Sequence, residues 1–250
     1  MNLSRRLALL GFGGAAALVA GPSGAAAGPG GPALAALSRR LAAAPRRRGF
    51  AAVPLVVDRP DLWDHEASAI LLDYPGGPKQ VWECTDIAAA WPNLMREALN
   101  GQVFAHGHPD FLAVAAVHGT AHLALFSQAM WDKYGLAANT RGVLSRNEMI
   151  VERQGVSPED DIQLPDGFYG PGNNNIVSLQ RRGAVFVACH DSIHAIARGI
   201  RAARGAEAGA ADEVAAELTN NLIPGTVLVP SVVAYLAEVQ RAGFTYAKAA

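Results

Sequence analysis

A cysteine and two histidines stand close together in the second half of the chain. Cys189 ends a short β-branched run, His190 follows it directly, and His194 lies four residues further on. A thiol at the start of a helix meets the unpaired N–H groups of the first turn, and these favour the thiolate. The spacing therefore indicates either reactive sulfur chemistry or metal binding.

Two further candidate site residues end earlier predicted strands. Asp86 closes a strand predicted over 81–86, and His118 closes one predicted over 111–118. Ligands of open parallel sheets bind beyond the carboxyl ends of the strands, so Asp86, His118 and Cys189 are expected to converge. For Asp86 there is an alternative, in which the carboxylate caps the helix that follows it.

The histidines also permit a metal or haem site. His118 and His122 are four residues apart, as are His190 and His194, and on a helix each such pair lies on one face. Together with Cys189 they would suit zinc or copper. No CxxC, HExxH or CxxCH motif accompanies them, so ordinary acid–base roles remain open. In such a role, His190, directly beside Cys189, would tune or protonate the thiol.

The pattern of strands and helices predicts the scaffold that positions these residues. Apolar runs alternate with helical spacing from residue 79 onward, which is typical of an α/β fold with a doubly wound, mostly parallel sheet. Helix 119–134 should follow the second strand, and the polar, proline-containing segment 137–172 is interpreted as an insertion or lid. The strands are predicted at 81–86, 111–118, 185–189, 226–229 and 244–248.

The chain contains two cysteines, and we expect no disulfide between them. Cys84 lies within the first predicted strand and Cys189 at the tip of the third. Parallel strands seldom bring two cysteines into disulfide geometry, so Cys84 is interpreted as a core residue.

The N-terminus resembles an export signal. Arg5 and Arg6 precede a weakly apolar run, and residues 25–27 are small, so residues 1–27 are predicted to be a twin-arginine-type signal, with a Sec signal as the alternative. The apolar run is too short and glycine-rich for a stable membrane span. We expect a periplasmic or otherwise exported protein. Residues 28–78 are interpreted as a linker and extension, with a possible short helix over 33–44.

Composition narrows the class of protein. Hydrophobic residues make up 50% of the 250 residues, and the formal net charge is −1. No basic stripe follows residue 50, so nucleic acid is not expected as a partner. Residues 28–48 contain five arginines and no acidic residue; a solvated tail is preferred there over a lipid-binding one.

Three segments resemble the DsrE/DsrF-like family of small α/β sulfur-handling proteins. The first is the strand tip His118-Gly119. The second is Gly-Ala-Val-Phe-Val-Ala-Cys over 183–189. The third is Leu-Ile-Pro-Gly-Thr-Val-Leu-Val-Pro over 222–230, which continues to Gln-Arg-Ala-Gly-Phe-Thr-Tyr over 240–246. The resemblance covers residues 79–248 outside the insertion.

This resemblance implies a flavodoxin-like five-stranded sheet and a homo-oligomer, often a trimer or hexamer. It also implies that the cysteine after the third strand, Cys189 here, accepts sulfane sulfur as a persulfide from a donor protein or a small sulfur species. The chain departs from the family pattern in its export signal, its insertion and the polar residues after Cys189.

The sequence thus predicts an exported sulfur carrier or sulfurtransferase that uses Cys189, assisted by His190 and His118. One alternative is a periplasmic metal- or haem-binding protein that uses His118, His122, His190 and His194. A second is a non-catalytic oligomer that binds partners. No particular cofactor is indicated.

Overall fold

Five parallel strands form the sheet, in the spatial order β4-β3-β2-β1-β5. The computed structural model describes residues 30–249, so the predicted signal over 1–27 lies outside the described residues. The strands lie close to their predicted positions, and the predicted α/β, flavodoxin-like fold is confirmed. They are β1 (Lys79–Cys84), β2 (Leu112–Val117), β3 (Val185–Cys189), β4 (Val227–Val229) and β5 (Thr245–Ala249).

Helices cover both faces of this sheet. The first face carries α3 (Trp91–Asn100), α4 (Gln128–Tyr134), α5 (Ile176–Arg181), α6 (His190–Arg204) and α7 (Ala211–Asn220). The second face carries α1 (Pro32–Ala43), α2 (His65–Leu72) and α8 (Val232–Arg241). Within residues 30–249, no helix is long and apolar enough to cross a membrane.

The chain changes face between β3 and β4. After β3 it enters α6 on the first face, and after β4 it enters α8 on the second face. Neighbouring parallel strands whose outgoing helices leave toward opposite faces create a crevice at their carboxyl ends, and in open α/β sheets this is where ligands bind. Cys189 is the last residue of β3 and therefore lies at the carboxyl end of this pair of strands.

The N-terminal extension is part of the folded domain, which corrects the predicted linker for the described part of 28–78. Helix α1 coincides closely with the possible helix at 33–44, and it buries Leu34, Leu37 and Leu41 in the apolar cluster of the second face. Spacing of three and four residues places these leucines on one side of the helix, which is why α1 packs on the sheet.

Three of the five arginines expected in a solvated tail, Arg46, Arg47 and Arg48, instead lie around a buried carboxylate, whereas Arg39 and Arg40 are exposed on α1. Asp64 is fully buried and accepts hydrogen bonds from the Arg47 backbone N–H at 2.6 Å and the Arg48 guanidinium at 3.2 Å. Asp64 also exchanges two hydrogen bonds with the backbone of Leu228 in β4. The extension therefore covers the outer edge of β4, a position where unpaired backbone groups would otherwise be exposed.

The helix predicted over 119–134 is wrong as a single element. Residues Gly119–Leu125 form a 3-10 helix, the chain then extends, and α4 begins only at Gln128. The interruption occurs because Phe126 forms a β-bridge with Leu222, which ties this segment to the approach to β4. Tertiary pairing has overridden the helical spacing here.

The insertion 137–172 is irregular, with short 3-10 turns, and it is held by buried polar contacts. Asn147 is fully buried and donates from Nδ2 to the carbonyl oxygens of Ala124 at 3.0 Å and Phe126 at 2.8 Å. Arg141 reaches Asp86 beyond the end of β1. The insertion is therefore anchored to the carboxyl side of the sheet.

Candidate functional site

The Cys189 thiol lies between the first turns of two helices. Its Sγ accepts the backbone N–H of Ser192 in α6 and that of Val232 in α8, each at 3.4 Å. Because α6 and α8 leave the sheet toward opposite faces, both can direct first-turn N–H groups at one atom. Helix N-termini carry partial positive charge, so this position favours a sulfur anion. The Cys189 residue is 3% exposed, which shields these dipoles from water.

The backbone of Cys189 is held by a buried histidine. The Cys189 N–H donates to His122 Nε2 at 3.1 Å, so Nε2 carries no proton and the neutral ring is protonated at Nδ1. Burial lowers the pKa of His122 to about 3, which keeps the ring neutral. His122 Nδ1 has no hydrogen-bond partner among residues 30–249. His122 thus positions the turn from β3 into α6.

His118 directly follows β2 and lies on the same face of the sheet as Cys189. The His118 backbone is extended, with φ −148° and ψ −173°, so the alternation of the strand continues through it. Because Val117 faces the first face of the sheet, His118 faces the second. His118 Nε2 lies 3.0 Å from Glu83 Oε1, and Tyr246 donates its hydroxyl to Glu83 Oε2. Gly119 follows with φ +59°. Any larger residue would place its Cβ 2.5 Å from the Thr85 carbonyl oxygen, so this turn after His118 requires glycine.

Sequence reasoning missed Glu83 and Tyr246. The alternation of β1 puts Glu83 on the face of Val81, and that of β5 puts Tyr246 on the face of Phe244. These face assignments are readable in the sequence. What the sequence does not contain is the order of the strands, which places β5 beside β1 and β1 beside β2.

His190 and His194 face the N-terminal extension. Both rings are buried, with centroids 4.8 Å apart, and His190 Nε2 lies 2.7 Å from the Pro54 carbonyl oxygen. Burial lowers the pKa of both histidines. Their observed contact is therefore with the segment that crosses α6, and His190, the predicted assistant of Cys189, has its Nε2 bound to Pro54.

The structure does not assemble the four histidines into a metal centre. Within the described residues, no group of three or more His, Cys, Asp or Glu side chains is arranged to hold a metal ion. His118 contacts Glu83, His122 contacts the backbone of Cys189, and His190 contacts Pro54. The spacing of four residues is present, but His118, His122 and His190 each form a hydrogen bond with a different group.

Asp86 organises the loop after β1. Its Oδ1 accepts the Ala88 N–H at 3.0 Å and the Thr120 hydroxyl at 3.2 Å, and Arg141 donates to Oδ2 at 2.8 Å. The Ala88 hydrogen bond is the main cause that lowers the pKa of Asp86. Helix α3 begins only at Trp91, so Asp86 does not cap it. Both oxygens of the carboxylate are occupied by the protein itself.

Cys84 and Cys189 are both free, as expected. Cys84 packs in the apolar cluster of the first face and Cys189 in that of the second, and β2 lies between their strands. Burial, followed by the nearby Glu83 charge, raises the pKa of the Cys84 thiol. A disulfide between these residues is therefore excluded by the topology.

Comparisons with family models, with curated proteins and with solved structures found no match for this chain.

Proposed function

We propose that this chain is an exported DsrE-like protein that carries or transfers sulfane sulfur as a persulfide on Cys189. The single observation that carries the proposal is the thiol of Cys189 between two helix N-termini, with two backbone N–H groups at 3.4 Å from Sγ. Its place at the β3–β4 crevice, where ligands of such sheets bind, adds to this support.

The proposed step is an exchange between sulfur atoms. The Cys189 thiolate attacks the outer sulfur of a donor persulfide or polysulfide, and an S–S bond forms to Sγ. The S–S bond in the donor breaks, and the remaining sulfur leaves as a thiolate with the bonding electron pair. The donor's outer sulfur keeps its proton, so no external oxidant or reductant is needed. An acceptor thiolate reverses the step and regenerates Cys189.

The surroundings of Cys189 match the needs of this exchange. Only a thiolate is an effective nucleophile, and the N–H groups of Ser192 and Val232 stabilise one. With Cys189 3% exposed, a small persulfide or polysulfide reaches Sγ only through a local opening of the structure. The buried state would then protect a loaded persulfide from stray thiols.

The direct test is intact mass spectrometry on the purified protein before and after polysulfide treatment. We expect the wild type to gain the mass of one sulfur atom and to lose it on reduction. Cys189→Ala should gain nothing. Cys84→Ala is the matched control, since it also removes a buried thiol at a strand end, and it should load like the wild type.

Three results would overturn the proposal, and the first two would promote the alternatives. Absence of a sulfur adduct together with a mass excess seen only under native conditions would favour a metal or haem on the histidines. Absence of both would favour a partner-binding oligomer. Equal loading of Cys189→Ala and the wild type would show that Cys189 is not the acceptor.

A further inference from the structure

A hydrogen-bonded row of polar side chains crosses three adjacent strands of the sheet. Tyr246 on β5 donates to Glu83 Oε2 on β1, and Glu83 Oε1 lies 3.0 Å from Nε2 of His118 at the end of β2. All of them lie on the second face, since Glu83 alternates with Val81 of its apolar cluster, Tyr246 with Phe244 just before β5, and His118 follows Val117 of the first face. Glu83 and His118 are half-buried, with side chains 17% and 21% exposed.

This row leads toward Cys189 on the next strand. The register pairs Val117 of β2 with Ala188 of β3, so His118 and Cys189 are the next positions along each strand. Both have extended backbones and both lie on the second face. Neighbouring strands are about 4.8 Å apart, so the histidine is the end of the row nearest to the strand that carries the thiol.

The hydrogen bonds determine which nitrogen of His118 is free. A carboxylate only accepts hydrogen bonds, so the neutral ring of His118 carries its proton on Nε2 and keeps a lone pair on Nδ1. The Tyr246 hydroxyl is the largest cause of a lowered pKa at Glu83, and the hydrogen bond from His118 adds to it. Glu83 is therefore ionised near neutral pH, with both oxygens held.

We propose that Glu83, oriented by Tyr246, is a positioning residue that makes His118 the proton acceptor for the Cys189 thiol. The proton moves from Cys189 Sγ to His118 Nδ1, and the S–H bond is replaced by an N–H bond. The Glu83 carboxylate stabilises the imidazolium that results, and the first-turn N–H groups of α6 and α8 stabilise the thiolate. This inference rests on the proposed function of Cys189.

Other charged groups near the row do not reverse this arrangement. Lys248 on β5 acts on Glu83 and favours its anionic form. His122 in the 3-10 segment acts on His118 only as a neutral ring, because it is fully buried and bonded to the Cys189 N–H. Glu83 is the carboxylate in direct contact with the imidazole.

The test measures the rate at which iodoacetamide alkylates Cys189 as a function of pH, in a Cys84→Ala background that leaves one thiol. Glu83→Gln should shift the rate–pH curve to higher pH, since the imidazolium loses its counter-charge. The alkylation rate at pH 7 should fall by about tenfold. Tyr246→Phe should act in the same direction with a smaller effect.

Glu97→Gln is the matched control, because Glu97 is an exposed carboxylate whose contacts are with Arg96 and Asn93. It should leave the rate–pH curve unchanged. In Glu83→Gln the whole rate–pH curve should move along the pH axis, whereas a purely structural loss would change the rate by the same factor at every pH. Curves for Glu83→Gln and Tyr246→Phe that superimpose on the parent curve would overturn the inference.

The two proposals fail in different ways. If the parent protein gains no sulfur from polysulfide but its alkylation still depends on Glu83, the sulfur function falls and the role of Glu83 stands. If sulfur loads on Cys189 and alkylation ignores Glu83, only the positioning role falls. Urea unfolding midpoints of all variants, compared with the parent, identify any variant that has lost its fold.

Discussion

Cys84 and Cys189 occupy equivalent places in the fold and have opposite surroundings. Each is the last residue of a parallel strand, each is free, and each is almost completely buried. Cys84 Sγ donates to the Trp82 carbonyl oxygen at 3.5 Å, whereas Cys189 Sγ accepts two backbone N–H groups. One thiol is held as a donor and the other as an acceptor.

The difference arises from the segment that succeeds each strand. A loop separates Cys84 from α3, which begins at Trp91, so the helix that follows β1 does not begin at that thiol. β3 runs directly into α6, and the neighbouring strand β4 leads into α8 from the opposite face. Two helix ends therefore supply hydrogen-bond donors to Cys189 Sγ, and the end of a parallel strand alone does not provide them.

The largest expected effect is a difference in alkylation between the two thiols. Burial raises the pKa of the Cys84 thiol, and such shifts reach several pH units, so Cys189 should react at least about a hundredfold faster at pH 8. Peptide mapping after timed iodoacetamide treatment of the native protein measures both rates. Equal labelling would mean that the helix ends do not activate Cys189.

A second prediction concerns the loss of folding stability in acid that is caused by His122, the ring that binds the backbone of Cys189. The pKa of His122 is about 3 in the folded chain, whereas an unfolded histidine titrates near 6.5. Between these values the unfolded state binds the additional proton, so stability falls as the pH falls. His122 alone should lower the free energy of unfolding by about 2 kcal/mol between pH 7 and pH 5.

The control for this acid effect is His122→Gln, whose amide oxygen can still accept the Cys189 N–H. Urea unfolding at pH 7 and pH 5 should show a smaller loss for the variant than for the wild type. His190 and His194, whose pKa values are also lowered, contribute equally to both proteins. The same loss in both proteins would contradict a buried neutral His122.

The smallest effect is expected from serine at each cysteine position. Cys84→Ser places a hydroxyl in the apolar cluster of the first face and should cost about 1–2 kcal/mol. Cys189→Ser keeps an acceptor for the N–H groups of Ser192 and Val232, as serine does at helix N-caps, and should cost about 0.5 kcal/mol or less. Chemical unfolding at pH 7 compares them, and the reverse order would refute the acceptor role of Sγ.

The elements of the sheet could be predicted because their signals are local. Apolar runs marked β2 and β3, and strand–helix alternation marked a parallel sheet. The 3-10 segment at Gly119–Leu125 could not be predicted, because it depends on the bridge between Phe126 and Leu222, residues almost a hundred positions apart. The packed extension was missed for the same kind of reason, since Asp64 and the arginines bind each other only around the edge of β4.

The candidate site divides in the same manner. Cys189 at a helix start, the strand-tip position of His118 and the absence of a disulfide could be predicted from residue type and spacing. The partners could not. His190 bonds to Pro54, His122 to the Cys189 backbone, and His118 to Glu83. Each pair joins residues from separate elements, so spacing along the chain contains no record of it.

By itself, the sequence determined the strands, the helices around Cys189 and the order in which they succeed one another, because periodicity and chain-breaking residues act over a few positions. Only the tertiary structure decided that α6 and α8 direct first-turn N–H groups at one sulfur atom and that Tyr246 and Glu83 reach His118. The physical reason is strand order: packing of helices on two faces sets which strands become neighbours, and neighbours supply the contacts of the site.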